Sequence, residues 1–153
     1  MKHCLAIYHR FQEIFILLDD GDRRTLRAFN LTPTQYNLLI RLGSKVEEGL
    51  TISDLAQRLF CTRGNATRLV QRLSQQELVT VGGDENDQRL VRVALTPVGQ
   101  KLVAAASEAH NQSIMRRLGS LPREERDCLL QLTQAVAHML TDDLAQFEPA
   151  NST

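Results

Sequence analysis

The sequence has few cysteines, no net charge and no long apolar run. Its three cysteines, Cys4, Cys61 and Cys128, are odd in number and widely spaced, which favours a reducing compartment over a disulfide-bonded exported protein. No apolar stretch approaches the roughly 20 residues that a membrane-spanning helix needs. The apolar N-terminal residues give way to Arg10 before a secretory signal is complete. We therefore expect a cytoplasmic protein that has no membrane partner.

The composition is that of an ordinary globular chain. Of the 153 residues, 42% are hydrophobic and 24% are charged, which excludes a disordered, collagen-like or disulfide-scaffold protein. A chain of this length forms one domain, or two small lobes that share a core.

The charges are balanced overall but are unevenly distributed. Eighteen Lys and Arg residues match eighteen Asp and Glu residues. The segment Leu55–Gln76 nevertheless holds four arginines and no acid, so the rest of the chain keeps fourteen basic and eighteen acidic residues. One basic segment in an otherwise acidic protein is typical of a site that meets phosphates.

Helical periodicity and capping residues predict four helices in the first half. The first spans Cys4–Phe29, with a break or bend at Gly21. The second ends at Gly43-Ser44, and two shorter helices follow, joined by the turn 60–62. The predicted caps are Thr32 with Gln35, Thr51 with Asp54, and Thr62 alone.

The period then changes to that of strands. Leu78–Val81 and Leu90–Leu95 are β-branched runs, and the polar segment 82–89 between them predicts a hairpin turn. A long helix is predicted from Thr96-Pro97 to about Leu118, and a last helix follows Leu121-Pro122. We expect the tail, residues 146–153, to be frayed.

Two helices joined by a short turn and followed by a hairpin have the order of a winged helix-turn-helix, whose second helix lies in the DNA major groove. With Ala66, Leu69, Val70 and Leu73 facing the core, the N-terminal turn and the opposite face are left for DNA. Arg, Asn and Gln make bidentate contacts to base edges, and Gly64 lets the backbone approach the duplex closely. The predicted contacts on this helix are Thr62, Arg63, Gly64, Asn65, Thr67, Arg68, Gln71 and Arg72.

Several short stretches together resemble a known family. They are Leu31-Thr32-Pro33-Thr34-Gln35-Tyr36, Leu55-Ala56-Gln57-Arg58-Leu59, Arg63-Gly64-Asn65-Ala66-Thr67-Arg68-Leu69-Val70, and Asp87-Gln88-Arg89 followed by Leu95-Thr96-Pro97-Val98-Gly99. In this order and spacing, the chain from about Leu31 to Leu144 resembles the multiple-antibiotic-resistance regulator (MarR) family of bacterial winged-helix transcription factors.

The wing residues Asp87 and Arg89 complete the predicted DNA contacts. An arginine at a hairpin tip can enter the minor groove, where the negative potential is enhanced, and Asp87 can orient its guanidinium. The resemblance implies that the family uses the pair in this way. It also implies a glycine at the position of Glu77, so this chain departs from the pattern where the recognition helix ends. We expect an altered helix end or wing angle there.

The resemblance further implies a mainly α fold with a small β-wing and with N- and C-terminal dimerisation helices. Residues 1–30 and 97–145 are expected to form the dimerisation region, and residues 31–96 the DNA-binding domain. The protein is then a homodimeric transcriptional regulator, expected to be a repressor, that reads a pseudo-palindrome in double-stranded DNA. The family often responds to small aromatic ligands, for which the candidate region here includes Tyr8, Phe11, Phe15, Tyr36 and Ile40.

Two alternatives remain open. A regulator of the same fold can sense oxidants through a cysteine, for which Cys4, Cys61 and Cys128 are the candidates. A winged helix can also serve as a protein-interaction module that never binds DNA. An enzyme is not expected, because the four histidines lack metal-ligand spacing and no phosphate loop or nucleophile motif is present. No cofactor and no metal are expected either.

Overall fold

The computed structural model describes residues 1–43, 49–83 and 91–146. Within these ranges, helices and short strands follow one another in the order of a winged helix. The helices are α1 (Lys2–Leu26), α2 (Pro33–Gly43), α3 (Ile52–Arg58), α4 (Arg63–Gln75), α5 (Pro97–Leu118) and α6 (Arg123–Gln146), and a 3-10 turn at Arg27–Phe29 follows α1. The strands are β1 (Leu50–Thr51), β2 (Val79–Gly83) and β3 (Val91–Leu95). The predicted fold class, mainly α with a small β-wing, is confirmed.

The predicted helix starts are confirmed by their capping bonds. The Thr32 N–H donates to Gln35 Oε1 over 2.9 Å, and the Gln35 N–H donates to Thr32 Oγ1 over 3.2 Å. Thr51 and Asp54 form the same reciprocal pair at the start of α3. Because each box joins residues three positions apart, the local sequence suffices to specify it.

Two details differ from the sequence predictions. Helix α1 continues through Gly21 without a break and ends in a 3-10 turn, because one glycine lowers helix stability but does not forbid helical dihedrals. Gly82 and Gly83, expected in the hairpin turn, belong to β2, where they face Arg92 and Val91 of β3.

The sheet also contains a strand that the sequence did not predict. β1 pairs with β3, Leu50 lying opposite Val93, so the strand order is β1-β3-β2 with antiparallel neighbours. Two residues are too short for an alternating pattern, so nothing local marks this strand.

The chain divides into two units, residues 1–113 and 114–153. In the first, the innermost side chains come from helices α1 to α4 and from β3: Leu26, Leu38, Leu39, Leu42, Leu55, Leu73 and Val93. In the second, Arg126 Nη1 donates to the carbonyls of Gly119 and Leu121 and holds the turn before α6. None of the helices in the described ranges is both long and apolar enough to cross a membrane.

Candidate nucleic-acid interface

Helix α4 follows α3 after a short turn, and its own N-cap fixes where it begins. Thr62 Oγ1 accepts the N–H of Asn65 over 3.3 Å, and the Ala66 N–H reaches the Thr62 carbonyl over 3.0 Å. Ala66, Val70 and Leu73 are buried, and Leu69 is half-buried, as the helical period predicts. These apolar contacts set which face of α4 remains in solvent.

The solvent face of α4 carries most of the predicted DNA contacts. The exposed ones are Thr62, Arg63, Gly64, Asn65, Arg68, Gln71 and Arg72. Thr67 is half-buried, and its hydroxyl donates to the Arg63 carbonyl over 2.9 Å, so its polar group is engaged within the helix. The wing pair Asp87 and Arg89 lies outside the described residues.

The arginines of α4 differ from those of α1 in their surroundings. On α1, Arg23 Nε lies 2.6 Å from Asp19 and Arg24 Nε lies 2.8 Å from Asp20, each one helical turn away. Arg63, Arg68 and Arg72 have no such carboxylate partner among the residues that the structure describes. Their charge is therefore not neutralised locally and is available to a polyanion.

Gly64 lies in the first turn of α4, and no neighbouring atom in the described part of the chain requires a glycine there. A Cβ added to it would meet no heavy atom within 4 Å in the described part of the chain. Alanine would favour the helix more than glycine does. The fold alone therefore does not explain a glycine here, whereas close approach of a duplex backbone would explain it.

Helix α4 ends in a left-handed residue that is not glycine. Glu77 has φ +58°, its N–H donates to the Ser74 carbonyl over 2.9 Å, and the Leu78 N–H donates to the Leu73 carbonyl over 3.0 Å. This is the Schellman arrangement, for which glycine is the usual residue. The altered helix end expected at Glu77 is therefore wrong, because the residue adopts positive φ despite its side chain. The altered wing angle stays a prediction.

The first helix of the pair, α3, carries a second electrostatic feature. The hydroxyl and the N–H of Thr51 both donate to the Asp54 carboxylate, over 2.7 and 3.1 Å, and hold the pKa of that carboxyl below its usual value. The positive charges of Arg58 and Arg92 act in the same direction. Arg92, half-buried on β3, was not among the predicted site residues because it lies in a separate strand.

The residues considered for an effector do not share one environment. Tyr36 is buried, its hydroxyl donates to Ser107 Oγ over 3.3 Å, and its ring meets that of His110 edge-on at 4.9 Å. Tyr8, Phe11 and Phe15 instead lie exposed on α1, and Ile40 is half-buried.

The cysteines and possible metal ligands are dispersed. Cys4 and Cys128 are exposed and Cys61 is half-buried, and each is a free thiol. Burial of Cys61 is only partial, and Cys128, predicted on the apolar side of α6, is open to solvent. In the described ranges, no group of three or more His, Cys, Asp or Glu residues is placed to hold a metal ion.

Comparison with known proteins agrees with this architecture. A family profile described as the MarR family matches residues 29–90. The transcriptional regulator SarZ of Staphylococcus saprophyticus is 34% identical over 87 residues, 57% of this chain and 58% of SarZ.

Solved structures extend the likeness beyond the winged helix. The Staphylococcus aureus MepR structure, solved as a DNA complex, has a TM-score of 0.77 at 25% identity and covers 88% of this chain and 96% of MepR. CouR of Rhodococcus jostii, solved with p-coumaroyl-CoA, has a TM-score of 0.75 at 20% identity, covers 86% of this chain and 91% of CouR, and shows the shared fold. The profile match assigns the winged-helix unit, residues 29–90, to the MarR family, and the solved structures share the fold of the chain.

Proposed function

We propose that this protein is a homodimeric transcriptional regulator that binds a pseudo-palindromic site in double-stranded DNA and represses transcription. The observation that carries the proposal is the exposed face of α4, on which Arg63, Arg68 and Arg72 have no carboxylate partner among the described residues. Arginine in this position can contact base edges and phosphates together. The DNA complex of the related MepR supports the same use of the fold.

The partner of the apolar helices is proposed to be a second copy of the chain. On α1, the exposed side chains of Ile7, Phe11, Ile14, Phe15 and Leu18 recur at helical spacing. On α6, no residue is buried, and Leu129, Leu132, Met139, Leu140 and Leu144 are exposed. Exposed apolar surfaces of this extent mark interaction sites. A two-fold dimer covers them and presents one α4 from each subunit to the duplex.

A small aromatic effector is proposed to release the protein from DNA. The proposal draws on the family resemblance and on the aromatic residues of α1 and α2. In CouR, a protein with the same fold, the ligand is p-coumaroyl-CoA. No catalytic activity and no cofactor are proposed, since the relatives are transcriptional regulators. We propose that the protein acts in the cytoplasm, where a bacterial chromosome lies.

The test is a salt titration of DNA affinity with the parent and two variants. Duplexes are selected from a random pool with the parent, and the dissociation constant is measured by fluorescence anisotropy at several salt concentrations. The logarithm of the association constant is expected to fall linearly with the logarithm of the salt concentration, with a slope of about −0.9 for each phosphate neutralised. Arg68→Ala should weaken binding about tenfold or more and flatten the slope.

The matched control is Arg24→Ala, which removes an exposed arginine from α1 instead of α4. It should leave affinity and slope unchanged, because Arg24 is paired with Asp20. If the parent shows no salt-dependent affinity for any duplex, the protein-interaction alternative is favoured. If Arg68→Ala binds like the parent, α4 is not the DNA-reading element.

A further inference from the structure

Phe60, in the turn between α3 and α4, is an aromatic residue with an unusual combination of properties. Its side chain is 87% exposed, more than any other large apolar side chain in the described ranges except Met1 at the chain start. Its φ is +50°, in the left-handed region that favours glycine and asparagine. Both the hydration of the ring and the backbone conformation are therefore unfavourable in the isolated chain.

The backbone around Phe60 is tightly held. The Phe60 N–H donates to the Gln57 carbonyl over 3.2 Å, and the Cys61 N–H donates to the Ala56 carbonyl over 3.0 Å. These two bonds close the end of α3 in the same Schellman pattern that ends α4. The fold requires a left-handed residue at this point, and glycine would meet the requirement without strain. The packing of α3 and α4 therefore does not account for a phenyl ring here.

The position of Phe60 indicates what the ring meets. It lies two residues before Thr62, the N-cap of α4, and the N-terminal residues of a recognition helix contact base edges in the major groove. Every charged residue from Leu55 to Gln76 is an arginine, so no acid repels a duplex from this turn. The apolar group that the major groove offers is the 5-methyl group of thymine, which phenylalanine is able to contact.

We propose that Phe60 is a specificity-determining residue that packs against the methyl group of a thymine beside the bases read by α4. The inference rests on the proposed DNA binding and adds a base preference to it. The ring and the methyl group each leave water when the duplex docks, so the exposure of Phe60 in the free protein is relieved in the complex.

The experiment compares two duplexes and three proteins. The first duplex is the tightest sequence selected with the parent, and the second has uracil at every thymine, which removes only the 5-methyl groups. The proteins are the parent, Phe60→Gly and the matched control Asn30→Gly. Asn30 also has positive φ, +54°, and donates from its N–H to the Arg27 carbonyl at a helix end, but it carries no ring and lies before α2.

The measured quantity is the affinity ratio between thymine and uracil duplexes. In Phe60→Gly this ratio should fall about fourfold relative to the parent, the effect expected when one methyl group is no longer buried. Asn30→Gly should keep the parent's ratio. Both variants should melt no lower than the parent, and Phe60→Gly about 2–4 °C higher, because glycine relieves the backbone strain.

The outcomes separate the inference from the function on which it rests. An unchanged ratio in Phe60→Gly, with binding still dependent on Arg68, overturns the thymine contact and leaves the DNA-binding proposal intact. A parent that binds no duplex overturns both. A lower melting temperature for Phe60→Gly shows that the ring packs within the fold, which also overturns the inference.

Discussion

The hydroxyl of Thr96 donates a 2.7 Å hydrogen bond to the carbonyl of Glu77, which lies two residues beyond the end of α4. The same oxygen accepts the N–H of Gly99 over 2.9 Å in the first turn of α5. The Thr96 N–H in turn donates to the Leu78 carbonyl over 3.1 Å. The Leu-Thr-x-x-Gly motif therefore joins the start of α5 directly to the end of α4, so the orientation of α4 depends on that of the first turn of α5.

Gly99 is expected to be irreplaceable within this junction. A Cβ on Gly99 would lie 2.0 Å from the Leu78 carbonyl oxygen, which is backbone and cannot rotate away. Gly99→Ala should therefore lower the free energy of unfolding by about 3 kcal/mol, as overpacking does. Urea denaturation measures the change. Gly82→Ala is the control, since a Cβ there has open space, and equal losses in the two variants would contradict the steric explanation.

Gly64→Ala should change stability and DNA affinity in opposite directions. The added methyl group has open space and a better helix propensity, so the free energy of unfolding should rise by about 0.5 kcal/mol. The same methyl group should obstruct the approach of the duplex and lower affinity severalfold. Thermal denaturation and anisotropy measure the two effects. Unchanged affinity would show that α4 does not bring its first turn against DNA.

Glu77→Gly should stabilise the protein. Glycine adopts the observed φ of +58° without steric conflict, so we expect a gain of about 1 kcal/mol in the free energy of unfolding. Glu77→Ala keeps the Cβ and should give no comparable gain, which makes it the control. If alanine and glycine stabilise equally in urea denaturation, the removed carboxylate is responsible and the backbone is not.

Asp54 should make part of the stability dependent on pH. Its pKa is lowered in the folded state by hydrogen bonds from Thr51, so its contribution is present above the unfolded pKa of about 4. That contribution is lost as the pH falls through the lower folded pKa, because protonation then accompanies the loss of the capping bonds.

The measurement is the difference in urea midpoint between the parent and Asp54→Asn. At pH 7 the parent should have a higher urea midpoint than Asp54→Asn, and at pH 3 the two midpoints should lie closer together. Asp127→Asn is the control, since that carboxylate is exposed and lies 3.9 Å from Arg123. A difference for Asp54→Asn that stays constant between the two pH values would contradict the assignment.

The proposed dimer predicts different effects for two neighbouring residues of α1. Phe15 lies on the apolar stripe and Ile16 lies off it, and both are exposed, at 70% and 65%. Phe15→Glu should place a charge in the interface and shift the protein toward monomer, because an unpaired charge is costly to bury. Ile16→Glu should leave the dimer intact. Sedimentation velocity distinguishes the species, and a monomeric parent would contradict the proposal.

Local features of the chain were predictable because short-range chemistry decides them. The capping boxes at Thr32 and Thr51 and the N-cap at Thr62 join residues three positions apart, and the period of α4 separates buried Ala66, Val70 and Leu73 from the arginine face. The order of elements and the family resemblance follow from the same local patterns. The continuity of α1 through Gly21 was not predictable, since glycine permits both a bend and a straight helix.

Local sequence patterns are enough to specify where α4 begins, which of its faces is apolar, and that its charged residues are all basic. Only long-range packing in the folded chain pairs β1 with β3 and brings Thr96 against the end of α4. The physical reason is the range of the interactions. A cap or an apolar stripe involves neighbours within one or two helical turns, whereas these other features require atoms that only the folded chain brings together.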